Sequence, residues 1–170
     1  NQAVAQLYGQ PGCGWQQAAA FQHATLADVE AQHRANEQAA HRCVGLVIET
    51  RPDLVTPESL ALMRRMGCTK VQMGIQSLDE AVLARNGRGI GRATIARAFR
   101  LLRAYGFKVH VHFMVNLLGA TPATDRADYA HLVTEAPFRP DEVKLYPCAL
   151  VASSRLMAAH RAGDWVPYGE

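Results

Sequence analysis

The sequence predicts an α/β protein built as a partial (β/α) barrel of parallel strands. Four short apolar runs alternate with amphipathic, helix-forming stretches, and such βα repeats wind into parallel sheets with right-handed crossovers. The first run, Cys43 to Ile48, is apolar at every position, as strands covered by helices on both faces require. Four βα units make about half of an eightfold barrel. An open half-barrel, a fragment of a fuller barrel and a doubly wound sheet are therefore all compatible with the pattern.

The elements follow from apolar spacing and from residues that start and stop helices. Residues 1–24 carry few signals and are predicted to be a poorly defined N-terminal segment, whereas 25–170 form the domain. The pattern predicts strands over 43–48, 71–75, 109–114 and 142–148. It predicts helices over 25–42 and from Thr56-Pro57 to Gly67, and a short helix that a capping box at Ser77–Glu80 opens. A separate helix carries Ile95, Ala98, Phe99 and Leu102 and ends at Gly106. The last two helices run from Thr121-Pro122 to Glu135, with Tyr129, Leu132 and Val133 on one face, and over 154–161.

Composition limits the class of protein. The 170 residues carry a net charge of +3 with a pI of about 8.8, a basic bias that is compatible with a nucleic-acid partner without establishing one. No apolar run is long enough for a membrane span and no secretory leader is evident, so we expect a cytoplasmic protein with no membrane partner. The spacings of the four cysteines match neither a zinc nor an iron–sulfur site, which predicts buried, reduced thiols.

Polar side chains follow each predicted strand. Since parallel α/β sheets bind ligands beyond the carboxyl ends of their strands, four such clusters predict one ligand site at a common rim. Each residue also has a purely structural explanation as a strand or turn cap. The residues, strand by strand, are Glu49 and Arg51, Gln76 and Ser77, His112 and Asn116, and Lys144 and Tyr146.

Two further patterns have competing explanations. His110 and His112 alternate on one strand and so share a face, which is compatible with metal ligation, a cofactor pocket or simple packing; no further ligand set is evident, and we predict no metal site. The glycines around Arg88 are not preceded directly by a strand, and their spacing is not that of a phosphate-binding loop.

At this point the motifs resemble a known family. The runs CVGLVIETRPD (43–53), GCTKVQMGIQS (67–77) and RPDEVKLYP (139–147) are similar to the catalytic subunit of Elongator and its bacterial and archaeal relatives, and NLLGATP (116–122) is similar to the bacterial members. The resemblance covers about residues 24–170 and implies the C-terminal part of a radical S-adenosylmethionine barrel. Val115 stands where relatives have Pro, and Ile90 with Gly91 replaces the usual His-Thr.

The resemblance also implies site roles. By similarity to oxygen-independent coproporphyrinogen dehydrogenase, Glu49, Gln76 and Arg88 are expected to contact S-adenosylmethionine, with His112 in the same pocket; carboxylate, amide and guanidinium groups suit its hydroxyl and carboxylate groups. Lys144 and Tyr146 are expected at the catalytic, substrate-facing end. The expected cofactors are S-adenosylmethionine together with a four-iron four-sulfur cluster and acetyl-CoA, whose ligand residues are not in this chain.

The implied reaction is carboxymethylation of C5 of the tRNA wobble uridine. A 5′-deoxyadenosyl radical abstracts hydrogen from the acetyl methyl group of acetyl-CoA, and the carbon radical adds to the base. Implied partners are tRNA, acetyl-CoA and other Elongator-type subunits or copies of the same chain. Without the cluster motif and the acetyltransferase domain, we expect this chain alone to be inactive. A different radical S-adenosylmethionine enzyme, a metal-dependent barrel hydrolase and a non-catalytic tRNA-binding module are the alternatives. Basic residues that are candidates for phosphate contacts are Arg51, Arg64, Arg65, Lys70, Arg97, Arg100 and Arg103.

Overall fold

The computed structural model describes residues 24–169. The poorly defined segment predicted for 1–24 lies, except for Ala24, outside the described residues. Contacts divide the chain into two units, one up to Arg42 and one from Cys43. The described part of the first unit holds helix α1 (Leu26–Glu37), which begins at a capping box between Thr25 and Asp28 and is shorter than the helix predicted to Arg42.

The second unit alternates strands and helices as the sequence predicts. Its elements are β1 (Val47–Thr50), a 3₁₀ turn (Pro52–Leu54), α2 (Pro57–Arg65), β2 (Lys70–Gln76), α3 (Glu80–Arg85), α4 (Arg92–Ala104), β3 (Lys108–Val115), α5 (Pro122–Thr134), β4 (Glu142–Pro147) and α6 (Leu156–Ala162). The strands pair in the order β1-β2-β3-β4, all parallel. This arrangement confirms the α/β class and the half-barrel pattern of strands.

One face of the sheet is apolar and covered by helices. Val71, Met73 and Ile75 of β2 alternate with polar residues and are fully buried, as are Val109, Val111 and Phe113 of β3. They pack in one cluster with the apolar stripe of α4 at Ile95, Ala98, Phe99 and Leu102, which confirms the face predicted for that helix. Burial of this many apolar side chains stabilises the sheet at roughly 25 cal/mol per Å² removed from water.

The first predicted strand is wrong in extent and burial. β1 begins at Val47, four residues later than Cys43, and Val44, Leu46 and Val47 are exposed. Within the described chain β1 pairs only with β2, whose first residue, Lys70, is in register with Val47. An edge strand has no second neighbouring strand to bury it. Most of the apolar run therefore precedes β1 and is exposed, instead of forming a strand that helices cover on both faces.

Two helix predictions also need correction. Ser77 does not cap α3: Asp79 is the cap residue and accepts from the amides of Ala81 and Val82. On α5, Leu132 is buried but Tyr129 and Val133 are exposed. The buried polar residues of α5 are Asp125 and Asp128, which are held inward by hydrogen bonds to the loops that follow β3 and β2. Polar partners, not apolar spacing, therefore set the orientation of this helix.

The cap of α4 explains one departure from the family pattern. Gly91 occupies the cap position and has no side chain to offer. The Glu80 carboxylate accepts from the Arg92 amide at 3.2 Å instead. A Cβ on Gly91 would lie 2.9 Å from that carboxylate oxygen, so a glycine here makes room for a cap supplied by the preceding helix.

The prediction of buried thiols holds only in part. Cys68 is buried, Cys148 is half-buried and Cys43 is exposed, while Cys13 lies outside the described residues. Burial raises the pKa of both the Cys68 and the Cys148 thiol. No helix in the described chain is long and apolar enough to cross a membrane.

Candidate functional site

The face of the sheet opposite the helix-covered core is polar. We call it the polar face. It carries the polar residues Glu49, Lys70, Gln72, Lys108, His110, His112, Glu142, Lys144 and Tyr146, together with Val47, Gly74 and Met114. Barrel interiors that are packed cores carry bulky branched apolar side chains. A face of charges, amides and imidazoles is built instead to receive a polar ligand.

His112 lies at the centre of the predicted rim. Its Nδ1 is 3.6 Å from the Glu49 carboxylate, and its ring meets the Tyr146 ring edge to face, with centroids 5.6 Å apart. It is in register with Gly74 on one side and Lys144 on the other. Parallel pairing thus brings together side chains from β1, β3 and β4, as the strand-end pattern predicts.

Gln76 has an unusual backbone that marks the end of β2. Its φ is +70°, which costs a residue with a Cβ of the order of 1–2 kcal/mol. The β2–β3 register shifts between Gly74 and Gln76, and the Gln76 amide nitrogen lies 3.3 Å from the position that a Cβ on Gly74 would take. The strain therefore directs the Gln76 amide back over Gly74.

Arg88 reaches the same place from the loop after α3. Its Nη2 donates to the Gly74 carbonyl, and its own backbone carbonyl accepts from the Arg51 guanidinium at 3.4 Å. Burial lowers the pKa of the Arg88 guanidinium, and the nearby Arg51 charge adds to this effect. Part of the donor set of Arg88 is thus already used within the protein.

Several buried polar atoms at this rim have no hydrogen-bond partner among the described residues. They include Gln76 Oε1, Arg88 Nε and His112 Nε2. Buried polar groups are nearly always paired, and an orphaned one costs about 1–3 kcal/mol. A ligand that accepts from the guanidinium and pairs with the amide would satisfy these atoms, so these residues fit the hydroxyl, amine and carboxylate groups of S-adenosylmethionine. An iron–sulfur cluster has no such fit, because the described residues contain no grouping of three metal-ligating side chains.

The structure adds residues that the sequence pattern missed. Gly74 leaves the opening over which Gln76 and Arg88 meet, and a glycine inside a strand is a signal for close approach. Asp128 holds the turn after Gln76 by accepting from the Ser77 hydroxyl at 2.6 Å and the Leu78 amide at 2.9 Å. A buried aspartate on α5 carries no sequence signal for this role.

Asn116 supports the end of β3 and does not face the rim. Its φ is +61°. Its backbone N–H donates to the Asp125 carboxylate at 2.7 Å, and its backbone carbonyl accepts from the Trp165 indole N–H. Tyr168 donates to the same Asp125 oxygen at 2.8 Å. Asn116, predicted among the strand-end ligands, is therefore part of a structural bracket between β3, α5 and the segment after α6.

The predicted basic residues do not form one surface. Arg51 pairs with Asp53 and Lys70 with Glu142. Arg64 donates to the Cys68 carbonyl. Arg97, Arg100 and Arg103 line a groove of 580 Å³ along α4, although Arg103 is occupied by the carbonyls of Phe138 and Arg139.

Comparisons with known proteins identify the family. A model of the radical SAM (S-adenosylmethionine) superfamily matches residues 8–132. The tRNA uridine(34) acetyltransferase of Dehalococcoides mccartyi is 42% identical over 134 residues, which is 78% of this chain and 29% of that protein. The Methanocaldococcus infernus enzyme of that name is 34% identical over 84% of this chain and 27% of its own length. Human Elongator complex protein 3 is 32% identical over 78% of this chain and 24% of its own length.

Solved structures agree. Elp3 of Methanocaldococcus infernus superposes with a TM-score of 0.77 at 34% identity, covering 82% of this chain and 33% of that one. Coproporphyrinogen III oxidase from Escherichia coli, a radical SAM enzyme, shares the fold with a TM-score of 0.63 at 17% identity, covering 85% of this chain and 34% of that one. The chain thus spans less than a third of the length of the curated relatives it matches. The superfamily match excludes the metal-dependent hydrolase alternative. The chain belongs to the radical SAM superfamily, and the relatives that it matches are named tRNA uridine(34) acetyltransferase and Elongator complex protein 3.

Proposed function

We propose that this chain is the part of a tRNA wobble-uridine carboxymethylating enzyme that contacts the ribose hydroxyls and the carboxylate of S-adenosylmethionine and faces the substrate. The observation that carries the proposal is the set of orphaned polar atoms on Gln76, Arg88 and His112, gathered around Gly74. Gln76 comes from β2, His112 from β3 and Arg88 from the loop after α3. The 42% identity to a tRNA uridine(34) acetyltransferase supports the choice of substrate class.

The roles divide by chemistry. Glu49, whose carboxylate is 61% exposed beside His112, accepts from ribose hydroxyls. Gln76 donates to and accepts from the ligand. Arg88 pairs with the carboxylate of the ligand through Nε, which has no partner in the described chain. When it is bound next to a reduced iron–sulfur cluster, S-adenosylmethionine supplies a carbon-centred radical. The part played by this chain is to orient the ligand and exclude water.

Lys144 and Tyr146 are proposed as the catalytic positions. Both lie on β4 of the polar face and both are exposed. The ammonium and phenol groups are hydrogen-bond donors suited to the carbonyl groups of a uracil ring or an acetyl thioester. Replacing Lys144 with Met, or Tyr146 with Phe, removes one donor each and is expected to lower turnover of the complete enzyme without changing cofactor affinity.

The proposal also includes the partners and the location. The partners are acetyl-CoA, tRNA, and further Elongator-type subunits or copies of the same chain, and the location is the cytoplasm. The tRNA arm is tested by filter binding across a salt series, because log K falls linearly with log salt in proportion to the number of neutralised phosphates. Salt-independent or absent binding by the chain would contradict its contact with tRNA. A non-catalytic tRNA-binding module predicts tRNA binding without cofactor binding.

Calorimetric titration with S-adenosylhomocysteine tests the cofactor site directly. Glu49→Gln keeps the size of the side chain and removes the charge, and charged hydrogen bonds contribute about 1.5–3 kcal/mol, so affinity should fall about tenfold or more. Glu58→Gln on the exposed first turn of α2 is the matched control and should change nothing. Equal affinity in the wild-type chain and Glu49→Gln would refute the assignment.

A further inference from the structure

His110 is a buried imidazole that the proposed cofactor site does not use. Its side chain is only 5% exposed. Glu142 Oε2 lies 3.2 Å from its Nδ1, but the geometry there does not make a hydrogen bond, and neither ring nitrogen has a partner among the described residues. Such a group costs about 1–3 kcal/mol unless something pairs with it.

The position of His110 separates it from the rim. It is in register with Gln72 and precedes His112, at the centre of the rim, by two residues, or about 7 Å along the strand. Its neighbours on the polar face are Glu142, which also pairs with Lys70 at 2.8 Å, and His112, with ring centroids 5.6 Å apart. His110 therefore lies in a deeper layer of the polar face, below the proposed adenosyl contacts.

The charges around His110 set its hydrogen-bonding state. Burial lowers the pKa of the imidazole, and Lys144, Lys70 and His112 lower it further, while Glu142 opposes them. The ring is thus neutral at physiological pH. A carboxylate 3.2 Å from Nδ1 favours the tautomer that carries its proton there, which leaves the lone pair on Nε2.

We propose that His110 is a ligand-contacting residue whose Nε2 accepts a hydrogen bond from an N–H or O–H group of a nucleoside bound against the polar face. The inference rests on the proposed function, which supplies two nucleosides, the uridine of the substrate and the adenosine of the cofactor. Both present the same donor chemistry. Glu142 is a positioning residue, because its negative charge 3.2 Å from Nδ1 favours a proton on that nitrogen.

Nitrogen-15 NMR of the full chain with labelled histidine measures the predicted contact. The Nε2 signal of His110, assigned by its loss in His110→Phe, should move upfield when S-adenosylhomocysteine is added if the cofactor provides the donor. It should move only on further addition of uridine if the substrate does. The signals of His131, which lies on the exposed side of α5 and pairs with Glu135, should not move.

Affinity and stability give an independent test. His110→Phe should weaken binding of the responding nucleoside about five- to tenfold, since one hydrogen bond is lost. Its thermal unfolding midpoint should not fall, because an unpaired buried imidazole is replaced by an apolar ring. His131→Phe should leave binding unchanged.

A fixed Nε2 signal with both nucleosides, or a lower midpoint in His110→Phe with unchanged affinity, would show that internal water or packing satisfies His110 and would overturn the inference. If S-adenosylhomocysteine still binds in that case, the proposed function stands alone.

Discussion

Replacing Asp128 tests how the fold holds the turn after Gln76, in the proposed cofactor site. The carboxylate is 7% exposed and accepts from the Ser77 hydroxyl at 2.6 Å and the Leu78 amide at 2.9 and 3.2 Å. Hydrogen bonds to a charged group contribute about 1.5–3 kcal/mol each. Removing both in Asp128→Ala, which also leaves two buried donors unpaired, should therefore lower the free energy of unfolding by about 3–6 kcal/mol.

This loss is large against the roughly 5–15 kcal/mol that stabilises a typical domain. Urea unfolding followed by circular dichroism gives the value, with the slope m unchanged if the native and unfolded states keep their compactness. Asp128→Asn retains one acceptor oxygen and should lose about half as much. Asp164→Ala, at an exposed aspartate, is the control and should stay within about 0.5 kcal/mol. A loss below about 1 kcal/mol in Asp128→Ala would refute the reasoning.

Three further outcomes follow from the structure. Glu80→Ala removes the cap of α4 and should lower stability by about 1 kcal/mol, whereas Glu58→Ala, also on a helix first turn, serves as the comparison. Burial, together with the Asp125 carboxylate, raises the pKa of Tyr168, so its phenol stays protonated in the folded state. The stability that this shift contributes should be fully present below about pH 10, the ordinary tyrosine pKa, and be lost as the pH rises above it. Alkaline absorbance titration should show one tyrosine that ionises at a higher pH in the folded chain than in urea. Cys68, whose thiol pKa is raised by burial, should react with iodoacetamide at pH 8 far more slowly in the folded chain than in urea; equal rates would contradict its burial.

The strand and helix pattern was predictable because the spacing of apolar residues and the positions of turn and cap residues are local properties of the sequence. β2, β3 and β4 lie within two residues of their predicted bounds, since apolar runs bounded by turn residues need no tertiary information. β1 shows the limit of this reasoning. The run Cys43 to Ile48 has the apolar pattern of a strand covered on both faces. Burial depends on neighbours in space, however, and within the described chain the only strand that pairs with β1 is β2.

The candidate site divides in the same way. Parallel pairing makes the ends of successive strands meet, so the sequence alone predicts that Glu49, His112 and Lys144 converge. It cannot predict that Asn116 turns away to bind Trp165 and Asp125. A left-handed backbone and its hydrogen-bond partners arise from the packing of distant segments.

The sequence by itself determined the fold class, the order of elements and the family, because these depend on periodicity and on motifs read along the chain. Only the tertiary structure decided which buried polar atoms lack partners, that Gly74 opens the rim beneath Gln76 and Arg88, and that His110 lies unpaired in a deeper layer. Satisfaction of a hydrogen bond is a property of distances between residues far apart in sequence. No local pattern encodes it.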